Sequence, residues 1–307
     1  MPVLPANERS VSAAAGLIRA GKLVAFPTET VYGLGANALD PDAVARIFTA
    51  KGRPATNPLI VHVADVEQVA AVAGDLPPLA RALATAFWPG PLTLVLPKSL
   101  RVPAAVTAGG PTVAVRIPGH PVAGALLRAA GVPVAAPSAN RSGRLSPTTA
   151  QHVEDGLAEL VLDGGPCPGG LESTVVDVTG GRPRLLRPGP VTVAMLEAVA
   201  GPVEVGPADG VARSPGLLSR HYAPLTALET AESAEEANFL AGLYETAGLT
   251  VARLAIHGEP AEAGARLYAD LHAIDAREFD RVIVTLPPDA DEWRAIRDRL
   301  ARAATVE

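Results

Sequence analysis

Apolar positions in the first two hundred residues follow two rhythms. Short, largely apolar runs recur at residues 23–26, 58–63, 92–96, 112–117, 134–136, 160–162, 174–178 and 184–186. Runs of that length suit buried strands. Between them the spacing opens to three and four, which predicts helices. These fall at 9–20 (Val11, Ala14, Ala15, Leu17, Ile18), after Asp40-Pro41 (Val44, Ile47, Phe48), at 65–73, and around Leu79, Leu83, Ala86 and Phe87. Further helices are expected at 121–130, from Ser146-Pro147 through Val153, and from Thr192 with Met195, Leu196 and Val199 inward. Asp40 reads as an N-cap with Pro41 in the first turn, and Gly21 and Gly131 read as stops.

Strands and helices mix through residue 200 without strict alternation. That pattern predicts an α/β domain with a twisted, mixed sheet. Residues 201–224 lose both rhythms and are rich in Gly and Pro, too long a stretch for an ordinary turn. From Leu225 a second pattern starts, with helix at 233–247, strand at 251–256, helix at 261–271, strand at 282–286 and a last helix marked by Trp293, Ile296 and Leu300. The expected division is a catalytic-sized domain at 1–205, a linker or lid at 206–224 and a small α/β domain at 225–307. No repeat of fixed period is visible.

Composition narrows the function classes. The chain has 307 residues, 48% of them hydrophobic, enough for two ordinary cores. No apolar run reaches the roughly 18 residues of a membrane span, and the N-terminus lacks a basic start followed by an apolar core. A cytoplasmic protein without membrane contact is expected. A single cysteine, Cys167, excludes an internal disulfide framework and a multi-cysteine zinc site; in its Gly/Pro-rich surroundings it reads as a loop residue without chemistry. A net charge of −6 is unlike a strongly basic nucleic-acid binder.

The segment 21–63 concentrates candidate chemistry. Pro27-Thr28-Glu29-Thr30 is dense in hydroxyls, and Gly33 and Gly35 let backbone approach a ligand closely. Lys51-x-Arg53 after a helix suits a polyanion such as a triphosphate, or simply completes a solvated helix C-terminus. His62 in Leu59-Ile60-Val61-His62-Val63 is either a satisfied core histidine or a functional one. Farther on, Arg116 ends an apolar strand and needs a carboxylate, supplied by Glu29 or Glu172 or by a substrate. Ser138-x-Asn140 follows a short strand and could hold phosphate or ribose, or form a turn. Ser146-Pro147 is a good N-cap pair, and a helix N-terminus is also an anion site. Glu172-Ser173-Thr174 is a turn or a hydroxyl cluster. Arg187 beside Pro188-Gly189-Pro190 is a phosphate clamp or a surface arginine. No GxxxxGK[ST] loop, full dinucleotide fingerprint or HExxH is present.

Taken together and in order, PTETVYGLGANA, the helix ending in KGRP, NPLIVHV, WPGPLTLVL, VTAGGPTVAVRIP, APSANRSGRLSPT, ESTVVDV and LLRPGPV closely resemble the YrdC-type threonylcarbamoyl-AMP synthases over residues 10–200. SPGLLSRHYAP and the tail resemble the longer, two-domain branch. The resemblance implies a YrdC-like catalytic domain followed by a small Rossmann-like domain. It also implies a reaction: L-threonine, bicarbonate or CO2, and ATP give L-threonylcarbamoyladenylate and pyrophosphate. Partner proteins would then transfer the threonylcarbamoyl group to tRNA. By resemblance, Thr30, His62, Arg116, Ala136 and Ser173 hold threonine. Arg53, Asn57, Thr112, Ser138, Ser146 and Arg187 hold ATP, with Lys51 and Asn140 beside them. Lys51 and Arg53 stabilise charge on the phosphates, and Mg2+ arrives with the triphosphate; no metal ligand is assigned. Ser219 stands where that branch commonly places a tyrosine against the nucleotide. The rival readings are a double-stranded RNA-binding module without catalysis, and carbamoyl transfer in hydrogenase maturation, whose proteins carry cysteine-rich zinc modules absent here.

Overall fold

The computed structural model describes residues 1–74, 76–206 and 221–304. In chain order the first part runs β1 (Val3–Pro5), α1 (Glu8–Arg19), β2 (Val24–Phe26), β3 (Gly33–Asn37), α2 (Pro41–Lys51), β4 (Ile60–His62), α3 (Pro78–Phe87) and β5 (Leu92–Pro97). It continues with β6 (Thr112–Arg116), α4 (Pro121–Ala130), β7 (Val134–Ala135), β8 (Leu160–Asp163), β9 (Thr174–Asp177), β10 (Arg184–Arg187), α5 (Val193–Ala200) and β11 (Glu204–Val205). The second part comprises β12 (Ala227–Ala231), α6 (Ala234–Thr246), β13 (Val251–Ala255), α7 (Pro260–Asp275), β14 (Arg281–Thr285) and α8 (Arg294–Ala304).

The short apolar runs pair into an eleven-stranded sheet of order β1-β8-β2-β3-β7-β4-β6-β5-β9-β10-β11. The pairing is mixed: β4 and β6 are parallel, whereas β2 and β3, β5 and β6, and β9 and β10 are antiparallel. Apolar side chains cover both faces. Val11, Ala14 and Ile18 of α1 meet Leu126 and Leu127 of α4 on one face. Val44 and Ile47 of α2, Leu83 of α3 and Leu196 of α5 belong to the larger core on the other. In the second part a three-stranded parallel sheet, order β12-β14-β13, buries Val282, Ile283 and Val284 at its centre.

Local chemistry explains the element ends. The Asp40 side chain accepts the N–H groups of Asp42 and Ala43, and Gly52 closes α2 in the left-handed conformation at φ 59°. That stop lets Lys51 and Arg53 leave the helix in fixed positions.

Several sequence expectations need correction. Gly33 and Gly35 lie within strand β3, and only Gly35 departs from the expected close approach to a ligand. A Cβ at Gly35 would lie 2.8 Å from the Phe26 ring and 2.9 Å from Val134, so this glycine makes room for core packing rather than for a ligand. No α-helix runs from Ser146 to Val153; only a 3-10 turn at Ala150–His152 forms there. The Ser146 hydroxyl is taken by Glu172 and so caps nothing. Residues 65–73 likewise give only a 3-10 turn, Glu67–Ala71. In α5 only Leu196 is buried, while Met195 and Val199 are exposed. Cys167 lies in a loop, as expected, but that loop is packed into the core, and burial pushes its thiol up to about 12. The terminal strands β1 and β11 were too short for their pattern to register.

The two parts share an apolar seam. Val31, Leu145 and Leu171 pack with Tyr222, Leu267, Tyr268 and Ile296 in one cluster. A Cβ at Gly170 would lie 2.5 Å from the Cα of Ala265, so the backbones touch there. The His272 ring stacks on His152 with centroids 3.9 Å apart.

Gly35→Ala should destabilise the protein by about 1–3 kcal/mol, the usual cost of overpacking a filled core. Urea unfolding checks this, and Phe26→Leu in the same chain should recover part of the loss.

Candidate active site

One cavity lies where several short elements end. Thr28 and Thr30 reach it from the turn after β2, His62 and Arg116 from the last residues of β4 and β6, and Ala136 and Ser138 from the segment after β7. Ser173 comes from the approach to β9 and Arg187 from the end of β10, with Arg53 entering beyond α2.

The inner wall is a charged pair set in hydroxyls. His62 and Arg116 are register partners in the parallel β4–β6 ladder, so both project from one edge of the sheet. Arg116 Nη2 lies 2.8 Å from Glu29 Oε1, Nη1 donates to Thr30 Oγ1 at 2.9 Å, and Nε donates to the Gly90 carbonyl at 3.1 Å. The Thr28 hydroxyl donates to the Val31 carbonyl at 2.7 Å and locks the turn. Of the partners offered for Arg116 by the sequence, Glu29 is the one in contact. Burial pushes the Glu29 carboxyl up, but the charge and hydrogen bond of Arg116 outweigh it and hold the carboxyl below its ordinary value. Burial, helped by Arg116, pulls His62 down to about 3, so its imidazole is neutral.

The outer wall is cationic. Arg53 donates to the carbonyls of Asn57 (3.1 Å) and Pro58 (2.9 Å). Arg187 donates twice to the Ser173 carbonyl and once to its hydroxyl, at 2.9–3.2 Å. Among the described residues, neither guanidinium has a carboxylate within 4.0 Å. Burial pulls Arg53 down to about 10, with Arg187 adding to the effect, so it remains charged at neutral pH. Lys51 is buried behind this wall, where Nζ donates to the carbonyls of Ser138 (2.6 Å) and Asn140. Burial and Arg53 pull its pKa well below the lysine norm. Lys51 therefore touches the backbone of the Ser138–Asn140 segment rather than lining the cavity.

Four other expected residues also lie off the wall. Asn57 and Asn140 are buried behind it, and Nδ2 of the first and Oδ1 of the second have no partner among the described residues. Ser146 donates to Glu172 Oε1 at 2.5 Å. Thr112 is at the opposite end of β6 from Arg116, paired with Pro97. Ser219 and most of the expected lid lie outside the described residues.

Sequence reasoning missed two wall residues, His221 and Tyr222. Both are buried, their rings meeting edge to face at 4.0 Å. Tyr222 has φ 62°, an uncommon conformation for a residue with a side chain. The available signal was a His-Tyr pair inside a stretch with no period. His221 Nδ1, the Tyr222 hydroxyl and His62 Nδ1 have no hydrogen-bond partner among the described residues. Buried polar atoms without partners, beside guanidinium groups without counter-ions, suit a polar, anionic ligand.

Two family models cover nearly the whole chain. The Sua5/YciO/YrdC model, described as telomere recombination, matches residues 16–189. The model for the threonylcarbamoyl-AMP synthase C-terminal domain matches residues 191–305. The chain belongs to the Sua5/YciO/YrdC family, in its two-domain form. A threonylcarbamoyl-AMP synthase from Pyrococcus abyssi is 54% identical over 226 residues, spanning 71% of this chain and 66% of that protein. One from Bacillus subtilis is 44% identical over 98% of this chain and 94% of that protein. A crystal structure of P. abyssi Sua5 complexed with L-threonine is 41% identical, with a TM-score of 0.91 over 99% of this chain and 96% of that one. The expected fold, a twisted mixed sheet followed by a small α/β domain, is that of this family. Among the described residues, no helix is long and apolar enough to cross a membrane.

His62 is neutral when folded, at about 3, against an ordinary 6.5. The unfolded chain therefore binds the proton first, and the stability tied to this residue is lost as pH falls from about 6.5 towards 3. His62→Gln should make the fall of stability with pH shallower across that window, by up to about 1.4 kcal/mol per pH unit. Urea midpoints measured across the window check it.

Proposed function

We propose that this chain condenses L-threonine, bicarbonate or CO2, and ATP into L-threonylcarbamoyladenylate and pyrophosphate. The observation that carries the reading is the pairing of two subsites in one cavity. One holds Arg116, Thr30 and the neutral His62; the other holds Arg53 and Arg187, without counter-ions among the described residues. The first suits an amino acid, the second a polyphosphate. The threonine complex of the P. abyssi relative supports the same substrate class.

Arg116 is fixed by Glu29, Thr30 and Gly90, and its remaining N–H groups serve the threonine carboxylate. Ala136 supplies backbone contact, and Ser173 and Thr30 supply hydroxyls. The threonine nitrogen forms a bond to the carbon of CO2 and gives up a proton. A carbamate oxygen then attacks the α-phosphorus, and the bond from that phosphorus to the pyrophosphate oxygen breaks. Charge growing on the pyrophosphate is met by Arg53 and Arg187, acting by position and electrostatics. Lys51 secures Ser138 and Asn140 from behind and adds positive potential when protonated. By resemblance, Asn57, Ser146 and Thr112 are assigned to the nucleotide, and Mg2+ would come in with the triphosphate. Exclusion of water from the cavity would protect the carbamate from breakdown. The product feeds proteins that transfer the threonylcarbamoyl group to tRNA in the cytoplasm.

Pyrophosphate release from ATP and bicarbonate should require L-threonine. Arg53→Ala should lower the rate by about 10²–10³, the usual loss when one donor to a developing oxyanion is removed. Release that ignores threonine, or an Arg53→Ala protein at the full rate, would overturn the reading.

A further inference from the structure

The second part of the chain reaches the cavity through one buried guanidinium. Arg299 on α8 is 1% exposed, an extreme position for an arginine. Its Nε donates to Glu172 Oε2 at 2.7 Å, one Nη donates to the Pro188 carbonyl at 3.0 Å, and the other pairs with Asp298 at 2.7 Å. The same guanidinium lies over the Tyr222 ring, 4.9 Å from its centroid. Tyr268 on α7 donates its hydroxyl to Glu172, 3.2 and 3.3 Å from the two oxygens.

The placement of these contacts matters. Glu172 immediately precedes Ser173, and Pro188 immediately follows Arg187. Ser173 and Arg187 are the wall residues joined by three hydrogen bonds. Behind them the two segments nearly touch, since a Cβ at Gly189 would lie 2.3 Å from the Thr174 nitrogen. One fork from α8 thus grips both segments at the point where each enters the cavity, and its flat face supports a third wall residue.

We propose that Arg299, assisted by Tyr268, is a positioning residue for the synthase reaction, using Glu172 and Pro188 to set Ser173 and Arg187 against the substrates. This rests on the function proposed above. It gives the small domain a role in the chemistry that neither the family's name nor the domain match specifies.

The arrangement requires Glu172 to be ionised. The groups facing it are Arg299, Arg187, His221, Tyr222, Tyr268 and Ser146. Burial pushes its carboxyl up, and Arg299 and then Arg187 more than reverse this, leaving it below the ordinary carboxylate value. Without Arg299 the carboxyl keeps its burial but loses its main counter-charge, so it takes up a proton at higher pH.

The test uses the full chain and two readouts. Carbon-13 NMR of labelled glutamate, with Glu172→Gln to assign the signal, follows the Glu172 carboxyl directly. Threonine-dependent pyrophosphate release is measured across the same pH range. In Arg299→Met the Glu172 titration should move up by at least one pH unit. Its kcat/KM should fall at least tenfold, more steeply as pH drops, and the double variant Arg299→Met/Glu172→Gln should lose that extra pH dependence. Arg299→Lys should keep Glu172 ionised yet recover only part of the rate, because one amine cannot serve both Glu172 and Pro188 in the same geometry. Tyr268→Phe keeps the ring and should shift both readouts in the same direction by less; it carries the test if Arg299→Met does not fold. An unmoved Glu172 titration, or a variant pH–rate profile superimposable on that of the natural chain, would overturn the proposal. Wild-type release that ignores threonine would instead overturn the synthase reading, while the carboxyl titration still tests the clamp.

Discussion

Among the described residues, Arg53 and Arg187 are held inside the protein by carbonyls and a hydroxyl instead of by carboxylates. Taking a charge out of water costs several kcal/mol per ion even after relaxation. The fold meets part of that cost with backbone oxygens from Asn57, Pro58 and Ser173 and leaves the rest for a ligand. Most of the architecture serves this arrangement. The short strands bring distant segments to one place, and the left-handed Gly52 releases Arg53 from α2 in a fixed direction. A neutral His62 adds no further positive charge beside Arg116.

The inner and outer walls solve the same problem in opposite ways. Arg116 is matched by Glu29, so the inner wall is close to neutral. The outer wall has no such match within 4.0 Å among the described residues. On the proposed reading, a zwitterion suits the balanced end and a polyanion suits the other. Glu172 stands near the cationic end, yet its oxygens are taken by Ser146, Arg299 and Tyr268. It is thereby kept from neutralising Arg187.

Much of this was legible in the chain. The apolar runs located most strands because a strand buried on both faces needs unbroken hydrophobicity. Asp40-Pro41 and Lys51-Gly52 located α2 because capping is local chemistry. The cavity residues were found as a set only through their resemblance to a family, since each alone had a plain structural explanation. The failures have physical causes too. Gly35 looks like a place for close ligand approach in one dimension, and only the Phe26 ring in three dimensions explains why the strand must lack a side chain there. Ser146 looks like a cap because nothing local reveals that Glu172, twenty-six residues away, competes for its hydroxyl. Arg299 sits in a helix whose pattern shows an arginine on the inward face but cannot show what it meets.

Cys167 offers a practical consequence. It is the sole thiol, it is enclosed, and its proton is held far more tightly than that of an ordinary cysteine. Thiolate-seeking dyes and spin labels would therefore pass it by. New cysteines placed one on each domain surface would be modified alone in the natural background, and the distance between the two probes could be followed as substrates are added.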